Sequence, residues 1–338
     1  MSPPRRASIA AQFAGYTQTG ICLHSCSAFT IFLLVAAGLF VTEQILHREV
    51  AAAPAAPSAR LPSAAQLARI AQREVHVANA WRKLEERAAW LAPENPEHVA
   101  HRALSLKDAP GWILFFPVLV CDGTFEKQPR VDVQHDGGKW ICGLQEEAKR
   151  AQHFSDNDNG SSECIVYSFG SNNDFTFEER VLTIAPHCEV HTFDPTSSAP
   201  LPGSLAASFV RFHGEFGLGG APETATPARA FPLTTLRDIM AKLGHTHLTV
   251  LKIDAEGVEW GIMIDTDWAS LRAAQVAIKL HPSLGGGPST VGQAVPYFSR
   301  LEKAGFLLAS IEPVTPENHA QVEVVFLHKD FFPGEPWH

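Results

Sequence analysis

The residues of this chain best placed to do chemistry are acids and one imidazole at the ends of apolar runs. Asp194 follows Glu189 to Phe193, Asp254 ends the run from Leu248 with Glu256 and Glu259 just beyond it around Gly257, and His281 ends the run from Gln275. A carboxylate at a strand end can accept hydrogen bonds from ribose hydroxyls, and a carboxylate or imidazole beside a reacting hydroxyl can take its proton. Each also has a purely structural use, because carboxylates commonly satisfy turn N–H groups.

The elements that must position Asp194 are legible around it. Cys164 to Phe169 is a short apolar run with a β-branched centre, Gly170 to Asp174 is turn chemistry, and Phe175 to Leu182 has helical spacing, with Asp174 or Thr176 to cap it. Glu189 to Phe193 reads as a second strand, so the acid stands about 20 residues after the loop, the arrangement of a nucleotide-binding βαβ unit. The Gly-x-Gly-x-x-Gly fingerprint is absent: Gly170 is followed by Ser171, Asn172 and Asn173. That loop is a poor pyrophosphate cradle and an adequate wall for a ligand without pyrophosphate, such as S-adenosylmethionine.

Four phrases carry a resemblance. Asp136-Gly-Gly-Lys-Trp-Ile-Cys142, Val166-Tyr-Ser-Phe-Gly170, His191-Thr-Phe-Asp-Pro195 and Leu251-Lys-Ile-Asp-Ala-Glu-Gly-Val-Glu-Trp260 together resemble class I S-adenosylmethionine-dependent methyltransferases of the methyltransferase-like-protein 24 type. The likeness to FkbM-type sugar and small-molecule O-methyltransferases is more distant. It spans Gly111 to Lys329 and implies S-adenosylmethionine as cofactor, strand order 3-2-1-4-5-7-6, and a segment before the core that helps cover the cofactor. The cofactor-binding candidates are Ser168, Phe169, Gly170, Ser171, Asn172, Asp194 and Asp254. The catalytic candidates are Asp254, to orient the acceptor or the cofactor amine, and Glu256 or His281, to take the proton. Related domains tend to carry an acid where this chain has Lys279, which points either to an outward-facing substitution or to altered or absent catalysis.

The 338 residues, 45% of them hydrophobic, suffice for one large catalytic domain with appendages. A net charge of -9 with no basic stripe argues against a nucleic-acid partner. Strands alternate with helices from residue 111 to the C-terminus. Thr234 or Thr235 caps a helix that Gly244 ends, and Leu307 to Ile311 and Val322 to Leu327 form a final hairpin. The fold class is therefore α/β, a Rossmann-like sheet that is mostly parallel with one antiparallel strand. Trp112 to Val120, broken by Pro117, reads as a buried segment, and Asp136-Gly137-Gly138 as a turn before a strand.

Ahead of this domain, residues 1–20 are a polar tail with Arg5 and Arg6, and residues 21–46 are the most apolar stretch. A helix over Ile21 to Val41 would be about 30 Å long, enough to cross a bilayer. The basic pair favours a type II signal anchor in the Golgi or endoplasmic reticulum, with a cleaved or organellar targeting segment and a buried helix as the competing readings. Residues 47–110 hold a linker and a stem helix. In it Leu67, Ile70, Val77, Trp81, Leu84, Ala88 and Leu91 form a heptad seam interrupted by Glu74, suited either to weak self-association or to packing on the domain.

Metal binding is not expected: the 16 histidines are scattered, and His245-Thr-His247 has no third ligand nearby in sequence. Cys121, Cys142, Cys164 and Cys188 could make two disulfides in an oxidising compartment, with three connectivities open, or remain buried thiols. The acceptor expected is a small molecule or glycan. Two other functions stay open: a non-catalytic binding module on this fold, and a Golgi glycosyltransferase using Asp265-Thr266-Asp267 for a metal.

Overall fold

Strands buried on both faces read as near-continuous apolar runs, and three such runs make the middle of the sheet. The computed structural model of the chain describes residues 63–93, 98–107, 109–128, 138–154, 164–197, 203, 210–219, 231–314, 321–333 and 335. Within them, β3 (Ile165–Phe169), β8 (Val250–Ile253) and β9 (Gln275–Leu280) are buried at every position. With β4 (Glu189–Phe193), β5 (Val210–His213), β10 (Phe306–Pro313) and β11 (Val322–His328) they form a seven-stranded sheet in the order β10-β11-β9-β8-β3-β4-β5. Renumbered from its own first strand, that is the 3-2-1-4-5-7-6 order read from the other edge. β11 runs antiparallel to both neighbours and the remaining pairs are parallel. Order reverses at β3, which lies between β4 and β8.

The helices behave as their ends predict, with one exception. α6 (Leu236–Leu243) starts at Thr235, whose side chain accepts from the Asp238 N–H, and stops at Gly244 in the left-handed region. α5 (Thr176–Ile184) has Phe175 at its N-cap; Asp174 instead accepts from the Thr176 N–H at 2.9 Å. α7 (Glu259–Asp265) and α8 (Val291–Lys303) complete the layers, α8 opening on a Thr290–Gln293 capping box.

Before the sheet come α1 (Ala64–Trp90), two short helices α2 (Val99–Arg102) and α3 (Ala109–Ile113), a hairpin of β1 (Phe125–Gln128) and β2 (Lys139–Cys142), and α4 (Leu144–Phe154). The short pair β6 (Gly217–Leu218) and β7 (Leu233–Thr234) follows β5. Ser63 to His338 form one compact unit, so α1 joins the domain instead of standing apart as a stem. It does so through Arg73, Ala80, Arg87 and Leu91, while the first two seam positions, Leu67 and Ile70, face solvent. Arg73 donates to the carbonyls of Val120, His328 and Lys329 and to Asp122, and Arg87 pairs with Glu302. Two arginines, unforeseen as core, thus anchor the helix.

The segment from Trp112 is buried only in part. Trp112, Phe115, Val118 and Leu119 are inside, Ile113, Phe116 and Val120 outside, and the Val118 and Leu119 N–H groups donate to the Leu308 carbonyl at the bulge of β10. Disulfides join Cys121 to Cys142 and Cys164 to Cys188, tying the entry segment to β2 and the start of β3 to that of β4. The expected membrane span at 21–46 lies outside the described residues, as does the turn at Asp136-Gly137. Among the described residues no helix is long and apolar enough to cross a membrane.

Candidate active site

Beyond the carboxyl ends of β3, β4 and β8 lies a cavity of about 530 Å³, at the switch point where ligands bind open α/β sheets. Its polar wall is Gly170, Ser171, Asn172, Asp174, Asp194, Thr196, Asp254, Glu256 and Lys279; its apolar wall includes Phe193, Leu218, Phe231, Leu233 and Val258.

Gly170 brings the first loop onto β8. Its φ is +79°, and a Cβ there would fall 1.8 Å from the Asp254 carbonyl oxygen, so only glycine permits the approach. Lys252 donates to the Gly170 carbonyl at 2.7 Å, which fixes the loop from below.

Asp194 is more deeply engaged than its position implied. One carboxylate oxygen accepts from the Ser171 and Asn172 N–H groups and from the Ser171 and Ser197 hydroxyls; the other accepts from the Thr196 N–H and hydroxyl and the Ser197 N–H. The side chain is thereby saturated by its own chain. Burial opposes its charge, but the bonds from Thr196, Ser197 and Asn172 outweigh burial and hold the carboxyl far below its ordinary value. Asp194 welds the loop after β3 to the loop after β4, and the groups left to face a ligand are its neighbours'.

Asp254 stands in a set of charges supplied by four strands. Lys139 of β2 reaches its carboxylate at 3.0 Å and that of Glu323 at 2.7 Å. Buried Gln275 places that strand by pairing both its amide groups with the Cys142 backbone at 2.9 Å, as a neighbouring strand would. Burial works against the Asp254 charge, yet Lys139, Lys252 and Lys279 together outweigh it and depress the carboxyl. Lys139 is likewise driven upward, Glu323 and Asp254 prevailing over burial. Lys279 faces inward, 4% exposed and in the cavity wall, which removes the reading of an outward-facing substitution.

Of the residues expected from sequence, Phe169, Gly170, Ser171, Asn172, Asp194, Asp254 and Glu256 line the cavity. Ser168 does not: it is fully buried in β3 on a sheet face, one residue short of the strand end. Nor does His281. Its ring is buried with Nδ1 2.9 Å from Glu259, so it is a partner of the α7 start and not a base at the cavity. Asp265-Thr266-Asp267 lines a second pocket, separate from the switch-point cavity, where Asp267 is paired with Arg237 at 3.0 Å. Sequence reading missed Lys139, Lys252 and Glu323. The signal was available for the last two, charged residues inside apolar strand runs, which must be paired if buried.

A family model described as a methyltransferase domain matches residues 74–328. No curated protein matches the chain. Among solved structures, the fibrillarin pre-rRNA processing protein of Methanococcus jannaschii is similar at TM-score 0.33 and 13% identity, over 62% of this chain and 91% of that one. Aeropyrum pernix fibrillarin with natively bound S-adenosyl-L-methionine gives 0.31 and 14%, over 60% and 88%. The 1,6-didemethyltoxoflavin-N1-methyltransferase of Burkholderia thailandensis, with bound 1,6-didemethyltoxoflavin and S-adenosylhomocysteine, gives 0.27 and 13%, over 55% and 79%. Likenesses this slight carry no argument about the ligand.

Proposed function

The chain belongs to the methyltransferase-domain family, and we propose that it transfers a methyl group from S-adenosylmethionine to a hydroxyl of a small molecule or glycan. The observation that carries this reading is the cavity at the switch point, which joins an apolar, aromatic wall to carboxylates at its other side. That donor set fits the cofactor. Phe193, Leu218, Phe231 and Leu233 offer a surface for the adenine, Thr196 and the Ser171 to Asn172 loop lie beside the expected ribose position, and Asp254, Glu256 and Lys279 offer charges for the cationic sulfonium and the amino-acid end. Bound there, S-adenosylmethionine supplies an electrophilic methyl group.

The chain's own part is alignment and proton removal. Transfer is an in-line displacement whose rate depends chiefly on positioning. Asp254, held ionised by three lysines, orients a cationic or hydroxyl group. Glu256 is exposed in the cavity wall and makes no side-chain hydrogen bond to a described residue, so it takes the proton of the acceptor hydroxyl. Asp194 maintains the wall. The direct test is transfer of a labelled methyl group to a panel of hydroxylated small molecules and glycans. Glu256→Gln is expected to lower turnover about 100-fold with cofactor affinity retained; unchanged turnover would remove Glu256 from the mechanism.

Lys279 in the wall, where related domains tend to carry an acid, favours one second reading: a module that binds the cofactor and does not turn over. Saturable binding with no transfer to any acceptor would select it. The two disulfides suit a lumenal or extracellular domain, and with a signal anchor at 21–46 they support a type II protein of the endomembrane system. Secretion or an organelle would follow if that segment were cleaved. Trypsin protection of the domain in intact microsomes, lost on adding detergent, would establish the lumenal orientation.

A further inference from the structure

Away from the cavity, on the face of the sheet that α6 covers, the chain brings together residues distant in sequence. Glu189 and His191 project from the same face of β4, and His245 arrives just after the Gly244 cap of α6. The His191 Nε2 lies 3.0 Å from Glu189 Oε1 and the His245 Nε2 lies 4.0 Å from Glu189 Oε2. One ligand atom from each of the three residues lies within 4.8 Å of the others. Ligands about 2.1 Å from a tetrahedral zinc stand roughly 3.4 Å apart, so small side-chain rotations bring all three onto one ion. From this geometry we propose that Glu189, His191 and His245 bind a zinc ion, in a site separate from the candidate active site.

The outer contacts fit the same assignment. A metal-binding imidazole almost always donates its other N–H to an acceptor, which fixes its tautomer. Here the remaining nitrogen of His245, Nδ1, is 2.7 Å from the Tyr167 hydroxyl. That of His191, Nδ1, is 2.9 Å from the His213 Nε2, whose own Nδ1 faces Glu215 at 3.4 Å. One choice of tautomers satisfies the outer contacts: His245 donates to Tyr167, His191 donates to His213, and His213 donates to Glu215. Both Nε2 atoms then face Glu189 as acceptor to acceptor, a contact that only a cation or proton between them satisfies.

Charge and access agree with that choice. Glu189 brings a negative charge to a divalent cation, and His191 and His245 bring ring nitrogens. Glu189 is one-third exposed, which leaves an entry path and room for water as fourth ligand. Two imidazoles and one carboxylate suit zinc above magnesium or calcium, which take oxygen ligands. The ion would pin the end of α6 to β4. Through His213 and Phe193, whose rings stack with centroids 4.6 Å apart, it would steady one wall of the cavity.

The test is titration of the full chain, stripped with chelator, with zinc, and with cobalt as a spectroscopic probe. The expected result is saturable binding with visible cobalt absorption, reduced by one equivalent in both Glu189→Gln and His245→Gln. Tyr167→Phe should weaken that same equivalent about 10-fold to 100-fold. Because His191 is buried and its replacement risks misfolding, the two less buried ligands carry the test, each variant checked for an unchanged circular dichroism spectrum. A wild-type chain that binds neither metal saturably, or variants that retain the full stoichiometry at unchanged affinity, would overturn the proposal.

Discussion

The two faces of the seven-stranded sheet bury polar groups by opposite means. Strand register places Ser168, Lys252, Lys279 and Glu323 on one face, and Tyr167, His191, Phe193 and His213 on the other. On the first face Lys139, Lys252 and Lys279 surround Asp254 closely enough for attraction to outweigh its lost hydration, while burial still pushes the Glu323 carboxyl up and the Lys252 ammonium down. On the second, the imidazoles lose their charge to burial and hydrogen-bond to one another as neutral rings. The first arrangement leaves an ionised carboxylate at the mouth of a cavity. The second sets ring nitrogens around a carboxylate. The first is the proposed site for cationic and hydroxyl ligands at the end of the sheet, and the second is the proposed metal site along its side.

Removing one charge should break this contrast most severely. Lys139→Met strands two buried carboxylates and is expected to cost about 3–5 kcal/mol in urea unfolding; a loss below about 1 kcal/mol would mean the charged face is not held by pairing. Gly170→Ala comes next. It forces an L side chain into the left-handed region and against the Asp254 carbonyl, for a loss of roughly 2–3 kcal/mol by the same assay. Asp194→Asn keeps the shape but replaces one acceptor oxygen with a donor that faces other donors. A loss of about 2 kcal/mol is expected, and wild-type stability would show that the two loops hold without the carboxylate.

The smallest expected effect separates the faces by pH. His191 has a folded pKa of about 4 against an ordinary 6.5, so the unfolded state takes up its proton first as pH falls. Its contribution is complete above 6.5 and is lost as pH falls from there toward 4. Glu189 limits the loss, while His213 and His245, facing the same ring, add to it. The Asp254 and Asp194 contributions move in a lower window: they are complete above the ordinary 3.8 and are lost only as pH falls below it. Between pH 7 and 5 a melting series should therefore show a loss on the order of 1 kcal/mol that His191→Gln flattens, once an unchanged circular dichroism spectrum has shown that the variant folds. A profile unchanged by that substitution would contradict the neutral face.

The contrast also marks what the sequence could reveal. The glycine turn, the Thr235 and Gly244 caps and the acids at strand ends are local signals, set by side-chain period and backbone sterics, and they located the cavity, whereas strand order was implied by the family resemblance. Lys252, Lys279 and Glu323 were half legible, as charges inside buried runs, but their common centre was not: Lys139 and Glu323 are 184 residues apart. The metal cluster was hidden for the same reason. His245-Thr-His247 has no third ligand nearby in sequence, and only the packing of α6 on the sheet brings Glu189 and His191 to His245. His281 misled because a residue at a strand end can turn sideways to a helix as readily as forward to a ligand. α1 misled more mildly, since its apolar spacing hid that Arg73 and Arg87 are buried contacts of the helix.

The measurement that tests the central claim most directly is calorimetric titration of S-adenosylmethionine and S-adenosylhomocysteine into the full chain. We expect saturable one-site binding at micromolar concentration, weakened at least about 10-fold by Asp194→Asn through loss of the loops it holds. A folded chain that binds neither adenosyl ligand would contradict the assignment of the cavity.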